Sequence, residues 1–184
     1  DPSLATADLE YHVQPLSTDR LGEPLHRYPA VTVSVCNLRP ESRGTVHIGT
    51  KDAATAPEIK PNYLSTPGDQ MLAARSIRHA RKLMEQKAVR GYKPQEMLPG
   101  TEFQSDAQLI QRAGDIATTI FHPVGTCKMG SDCLAVVDGE LRVHGLAGLR
   151  VVDASVMPTI VSGNTNSPVI MIAEKAADLI LSSH

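Results

Sequence analysis

The stretch from Leu149 to Leu181 reads LRVVDASVMPTIVSGNTNSPVIMIAEKAADLIL. Its first five residues, Leu149–Asp153, are mostly apolar, which predicts a short strand buried on both faces of an α/β sheet. Its last part, from about Ser167 to Leu181, predicts a helix that has Pro168 in its first turn, where a missing N–H costs nothing. Apolar side chains cover most of the circumference of that helix, so we expect it to be largely buried.

A polar segment, Gly163–Ser167, lies between the predicted strand and the predicted helix. The first N–H groups of a helix have no partner within the helix, and a buried helix start must find partners for them elsewhere. We therefore expect Gly163–Ser167 to be shaped around a bound group. Asp153, at the end of the predicted strand, is expected to contact the same group, although it could instead simply close a turn.

A second informative stretch lies upstream and reads FHPVGTCKMG over residues 121–130. His122 stands between a predicted helix end and a proline, which leaves its backbone little freedom and suits a ring that must hold one position. Two other interpretations exist, namely zinc ligation by His122, Cys127 and Cys133, and a thiol nucleophile formed by Cys127 with His122. The spacing matches no common zinc pattern and shows no fourth ligand, and nothing marks an oxyanion hole, so both are disfavoured.

The first third of the chain predicts β-strands separated by turns. Runs that suit strands are Leu9–Val13, Ala30–Leu38 and Gly44–Ile48. Their spacing favours antiparallel pairing, and we expect one sheet.

Two helices are predicted in the middle of the chain. The first has Thr66 as its N-cap and Pro67 at its first helical position, and it runs to about residue 88. The second is capped by Ser105 or Asp106 and runs to about residue 120.

Composition sets the broad class of the protein. The 184 residues carry a formal net charge of −2, which gives no electrostatic reason to expect nucleic acid as a partner. No apolar run reaches the ~18–20 residues of a membrane span, so no transmembrane segment is expected. Three cysteines, an odd number, indicate reduced thiols and a cytoplasmic location. The start at Asp1-Pro2 favours a chain cut from a longer one.

Taken together, these segments closely resemble the C-terminal region of the glucose–methanol–choline (GMC) family of flavin oxidoreductases. Within the family, the resemblance is greatest to the choline-dehydrogenase-like and aliphatic alcohol dehydrogenase branch. The segments that carry it are HPVGT (122–126), residues 136–158, SGNTN (162–166) and residues 172–180, with LRPESRG (38–44) and PNYLS (61–65) upstream.

The resemblance implies a role for each matching residue. His122 would be the base that removes the proton from the substrate hydroxyl, and Asn164 would hydrogen-bond the same oxygen. Asp153 and Ala154 would contact the ribityl–pyrophosphate part of FAD, and Thr165 and Asn166 would lie beside the flavin ring. No metal is expected.

The implied chemistry fits these residue types. Alcohol oxidation moves a hydride from carbon to the flavin and a proton from oxygen to a base, and imidazole is suited to the second task near neutral pH. The positive end of the last helix dipole is a suitable counter-charge for a reduced flavin. The chain contains no G-x-G-x-x-G turn of the kind that binds a dinucleotide pyrophosphate, so FAD would need the missing N-terminal part.

We therefore predict an α+β fold, with an antiparallel or mixed sheet backed by helices. Residues 1–118 would form the C-terminal half of a substrate-binding lobe, and residues 119–184 would give a strand and the last helix to the FAD-binding lobe. The predicted function is oxidation of a primary alcohol to an aldehyde by the intact parent enzyme. The expected partners are a small alcohol and the N-terminal part of the parent chain. The alternative is a stand-alone, non-catalytic module that retains the fold of an enzyme domain.

Overall fold

A computed structural model describes residues 3–20 and 22–182. The start at Asp1-Pro2, and the outer ends of the predicted segments 1–118 and 119–184, therefore lie outside the described residues. The elements, in chain order, are β1 (Leu9–Gln14), β2 (Thr32–Asn37), β3 (Thr45–His47), β4 (Glu58–Lys60), α1 (Pro67–Met84), α2 (Lys87–Arg90), α3 (Asp106–Ile116) and α4 (Asn166–Leu181), with a short 3₁₀ helix at Ala154–Val156. Helices with small antiparallel sheets confirm the predicted α+β class.

The chain folds into two compact units. Unit 1 contains the residues up to Asn37 together with Leu64–Thr118, and unit 2 contains Leu38–Tyr63 together with the residues from Thr119 onward. Unit 1 thus ends at Thr118, and Leu38–Tyr63 belongs to unit 2. The assignment of segments to lobes of an intact enzyme stays a prediction.

Unit 1 is a β-hairpin with helices packed on it. β1 and β2 pair in antiparallel register, with Leu9 opposite Asn37, and the Tyr11 hydroxyl lies 2.7 Å from Nδ1 of His79 on α1. α1 also packs against α3, where Leu109 is fully buried. The two starts of these helices follow the sequence prediction, since Thr66 caps α1 and Ser105 caps α3.

The strand prediction was wrong about the number of sheets. β3 pairs with β4, a strand that was not predicted, so the described residues form two separate two-stranded sheets instead of one. After β3 the chain reverses direction, so Glu58–Lys60 lies antiparallel to β3 and forms hydrogen bonds with it.

The predicted strand Leu149–Asp153 is also absent as a regular element among the described residues. Only a single bridge forms there, between Arg150 and Arg142. The backbone N–H of Val151 donates to the carbonyl of Leu141 at 3.1 Å, and the N–H of Val143 donates to the carbonyl of Leu149 at 3.0 Å. The segment thus belongs to an irregular network in which isolated bridges replace a continuous ladder.

Unit 2 is built on an apolar cluster. Its buried members are Val137, Leu141, Val156, Met157, Ile172 and Ala176. α4 contributes the last two, but Ile170 and Met171 on its other faces are 54% and 60% exposed, so the prediction of a largely buried helix was wrong for the described residues. None of the described helices has the length and apolar character that crossing a membrane requires.

Candidate functional site

The loop that carries His122 has an unusual backbone conformation at the residue before the histidine. Phe121, just before the histidine, has a φ of +62°, and its N–H donates to the Thr119 hydroxyl at 3.0 Å. A bulky residue in this left-handed region is uncommon and costs conformational energy, which the surrounding structure must offset. Pro123 follows the histidine and restricts its backbone from the other side. Backbone geometry therefore constrains His122 on both flanks, although the helix end predicted beside it lies further upstream, at Ile116.

Beyond the histidine, the loop is hydrogen-bonded to the 3₁₀ helix. The N–H of Cys127 donates to the carbonyl of Ser155 at 3.0 Å, and the N–H of Met129 donates to the carbonyl of Val156 at 2.8 Å. Gly125 has a φ of +88°, a conformation that a side chain would strain. These contacts join the loop to the apolar cluster, because Val156 itself is fully buried there.

The imidazole of His122 is held by the start of α4. Nδ1 of His122 lies 2.9 Å from Oγ1 of Thr165, which is 5% exposed. Since one ring nitrogen is engaged, Nε2 is the nitrogen left to meet another molecule. The half-buried ring can then accept or donate a proton at one defined atom.

Within the described part of the structure, the other predicted site residues make no side-chain hydrogen bond to His122 or Thr165. Asn164 precedes Thr165 and is exposed, and among the described residues its side chain makes no hydrogen bond. Asn166 is the first residue of α4. Ala154 opens the 3₁₀ helix and is partly buried.

Asp153 has a local structural role. Its carboxylate accepts from the N–H of Ser155 at 2.7 Å and so caps the 3₁₀ helix that anchors the histidine loop. The carboxylate is exposed, which leaves its second oxygen available. Its contact with a cofactor stays a prediction.

A tight turn at residues 138–142 follows the histidine loop in the chain. The carboxylate of Asp138 accepts from the N–H groups of Arg142 at 2.9 Å and Glu140 at 2.8 Å. These donors, with the N–H of Arg142 contributing most, lower the pKa of Asp138 because they favour the charged form. The turn places Val137 and Leu141, both in the buried cluster, on its two sides.

Two contacts of the site were missed in the sequence. The first is the bond between Thr165 and His122, which joins residues 43 positions apart. The second is the bond from the Arg39 guanidinium to the Ser162 hydroxyl, which ties the predicted family segment 38–44 to the loop before α4. Only the first has a signal in the sequence, a threonine at a helix start with a proline three residues later.

Within the part of the chain that the structure describes, no three His, Cys, Asp or Glu side chains lie close enough together to hold a metal ion. His122, Cys127 and Cys133 therefore do not assemble into the alternative zinc site.

The family follows from comparison with known proteins. Residues 40–173 match the family model for GMC oxidoreductases. The chain belongs to the GMC oxidoreductase family. It is 45% identical over 177 residues to the oxygen-dependent choline dehydrogenases of Klebsiella pneumoniae strain 342 and of Escherichia coli O139:H28, covering 96% of this chain and 32% of each relative. The resemblance seen in the sequence is thus confirmed.

Solved structures of GMC oxidoreductases share the fold. Pyridoxine 4-oxidase from Mesorbium loti superposes with a TM-score of 0.81 at 32% identity, over 92% of this chain and 33% of that one. Formate oxidase from Aspergillus oryzae, studied for its FAD modification, gives a TM-score of 0.84 at 28% identity, over 98% and 32%. A fungal aryl-alcohol oxidase gives 0.74 at 31% identity, over 83% and 25%. This GMC chain spans about a third of the length of the relatives that it matches.

Proposed function

We propose that this GMC chain is the part of an FAD-dependent alcohol oxidoreductase that supplies the catalytic base. The intact enzyme would oxidise a primary alcohol to an aldehyde. The observation that carries the proposal is the fixed ring of His122, which is bonded through Nδ1 to Thr165 at 2.9 Å. That geometry leaves Nε2 as the atom that receives the proton of the substrate hydroxyl.

A base at this place is chemically required. An alcohol hydroxyl is a very weak acid, so its proton must be removed as the hydride leaves the neighbouring carbon. Proton transfer to a positioned imidazole typically contributes ~10²–10⁴ in rate. The ring of His122 is held from both its backbone flanks and from Nδ1, which is the positioning that such a contribution needs.

Asn164 is proposed as the second group on the substrate oxygen. Its amide is exposed and is not engaged with another described residue, so it can donate a hydrogen bond without becoming charged. Donors aimed at an oxygen that gains negative charge lower the barrier, because they stabilise the transition state more than the substrate.

The start of α4 fits a flavin. Thr165 makes no side-chain cap there, and the first turn contains neither an acidic nor a basic residue, so the N–H groups of Asn166 and Ser167 remain available as donors. A helix start of this kind favours acceptor atoms and negative charge. Hydride acceptance is the chemistry that FAD would supply when bound.

Four residues of this chain would hold that cofactor, namely Asp153, Ala154, Thr165 and Asn166. Thr165 would do so through its backbone, because its hydroxyl is committed to His122. The pyrophosphate would be held by the N-terminal part of the parent chain. We propose that the same part covers the exposed apolar faces of α4, including Ile170 and Met171.

The substrate class is proposed from the relatives. Choline dehydrogenase, pyridoxine 4-oxidase and aryl-alcohol oxidase carry an alcohol in their names, whereas formate oxidase has the same fold and a different donor. The test is the flavin absorbance of the intact parent under anaerobic conditions, with choline, aliphatic alcohols, an aryl alcohol and glucose added in turn. Bleaching by one class supports the proposal and names the substrate. A parent that holds no flavin, or one that no alcohol reduces, favours the non-catalytic module.

A cytoplasmic location is also proposed. Cys36, Cys127 and Cys133 are all free thiols. Reducing compartments keep thiols in this state. Recovery of the parent from a periplasmic extract would contradict the proposal.

A further inference from the structure

The threonine at the start of α4 is used differently from the cap residues of the other two long helices. In α1 the hydroxyl of Thr66 accepts from the N–H of Asp69 at 3.2 Å, and in α3 the hydroxyl of Ser105 accepts from the N–H of Gln108 at 3.3 Å. In both helices the donor is the third helical residue, which is the usual partner of a cap hydroxyl. Thr165 occupies the equivalent position in α4 but makes no side-chain cap bond.

The sequence explains why the hydroxyl of Thr165 makes no cap bond to the third helical residue. The third helical residue of α4 is Pro168, which has no N–H to donate. The backbone of Thr165 also differs, with φ −88° and ψ −5°, whereas Thr66 has the extended backbone of a capping residue, with φ −104° and ψ 147°. The hydroxyl makes no side-chain cap bond to its own helix, and it bonds to Nδ1 of His122.

We propose that Thr165 is a positioning residue that selects the tautomer of His122. This inference rests on the proposed function, in which Nε2 of His122 receives the substrate proton. Nε2 can do so only if the proton of the neutral ring is on Nδ1. Oγ1 of Thr165 lies 2.9 Å from Nδ1. A doubly protonated ring can only donate at Nδ1, so a hydroxyl that is oriented to accept there bonds the ring both before and after the transfer, and this is the orientation we assign to it. After the transfer both ring nitrogens carry protons, and the bond from Nδ1–H to Oγ1 persists.

The surroundings of Thr165 make this a rigid support. Its side chain is β-branched, so few χ1 angles are open to it, and the residue is 5% exposed. α4 is anchored by Ile172 and Ala176 in the same cluster as Val156, the residue whose carbonyl holds the histidine loop at Met129. Both partners of the bond are thus fixed to one apolar core.

The test uses the ring nitrogen chemical shifts of His122 in this chain, which report the tautomer without any cofactor. Thr165→Val keeps the shape of the side chain and removes the hydroxyl. We expect the ratio of the Nδ1–H to the Nε2–H form to fall by roughly 2- to 12-fold, the range that one ordinary hydrogen bond is worth. Thr165→Ser should keep the ratio of the unmodified chain. Thr66→Val, which removes a cap hydroxyl elsewhere, should weaken α1 and leave the His122 ratio unchanged.

A second variant tests the role of Pro168. Pro168→Ala restores the missing N–H, which then competes for the Thr165 hydroxyl, so the tautomer ratio should move in the same direction as in Thr165→Val. An unchanged ratio in both variants would overturn the inference, as would an unmodified ring already in the Nε2–H form.

The outcome is separable from that of the proposed function. If Thr165→Val changes the tautomer but the parent's flavin is never reduced by an alcohol, the positioning role stands as structure and the proposed reaction fails. If the parent oxidises alcohols but the tautomer ratio of His122 is unchanged in Thr165→Val, the inference alone fails.

Discussion

Shortening Val156 should loosen α4, because this fully buried side chain lies in the apolar cluster that also contains Ile172 and Ala176 of α4. Val156→Ala removes two methyl groups, which cost about 1.6 kcal/mol at ~0.8 kcal/mol each, and the cavity left behind raises the total to about 2–3 kcal/mol. The expected loss therefore corresponds to a roughly 30- to 160-fold faster exchange through opening of α4.

Amide hydrogen exchange of the α4 peptide, followed by mass spectrometry, measures this loss directly. Val46→Ala is the matched control, because Val46 lies in β3 at 47% exposure. It should leave exchange in α4 within about twofold, since its methyl groups are half in solvent and outside the cluster. Equal exchange in Val156→Ala and Val46→Ala would refute the claim that this cluster supports the site.

Three further outcomes are expected. Arg81→Met removes a largely buried guanidinium that pairs with the Glu96 carboxylate at 2.8 Å and donates to two backbone carbonyls at 3.0 Å. Urea denaturation should show that the free energy of unfolding falls by about 2–3 kcal/mol, whereas Arg78→Met, at a more exposed ion pair, should lower it by under about 1 kcal/mol. Because the pKa of Asp138 is lowered in the folded protein, the stability that its carboxylate contributes is fully present above about pH 4, the ordinary carboxyl value, and is lost as the pH falls through the lower folded-state pKa. Asp138→Asn should flatten this part of a Tm-against-pH profile, and an unchanged profile would contradict the role of the turn. Burial first, and then a nearby carboxylate, raise the pKa of Cys36, so mass spectrometry after limited alkylation should find the exposed Cys133 modified before Cys36, and the reverse order would count against this placement.

Local rules predicted the helix starts well. Thr66-Pro67 and Ser105 mark the beginnings of α1 and α3, because a cap hydroxyl and a proline at the first helical position act within one turn of chain. The ends were less well predicted. α1 ends at Met84 and α3 at Ile116, each about four residues before the predicted end, because no comparable stop signal marks them.

Long-range pairing was not available from the sequence. The runs that form β1, β2 and β3 were identified, but the separation into two sheets depends on where the chain returns, and β4 at Glu58–Lys60 is too short for a periodic signal. Leu149–Asp153 has the composition of a buried strand, yet its described neighbours offer it only a single bridge at Arg150. The burial predicted for this segment is not observed either, because Leu149 is 49% exposed and none of the residues 149–153 is fully buried.

The candidate site was predicted in part. His122 was singled out from its place before Pro123 and from the family resemblance, and the structure gives it a constrained ring. The role of Thr165 was predicted differently, as a neighbour of the flavin ring. Its contact with His122 joins distant parts of the chain, and only the combination of a cap threonine with Pro168 indicates in the sequence that its hydroxyl is available.

If Nε2 of His122 receives the substrate proton, as we propose, the rate of flavin reduction in the intact parent depends on this ring. That rate should be measured by anaerobic stopped-flow absorbance with the alcohol that bleaches the flavin, for His122→Ala and for His47→Ala, a matched change at an exposed histidine of β3. We expect the rate to fall by a factor of about 10²–10⁴ for His122→Ala and to stay near normal for His47→Ala. A near-normal rate for His122→Ala, with flavin still bound, would contradict the proposal.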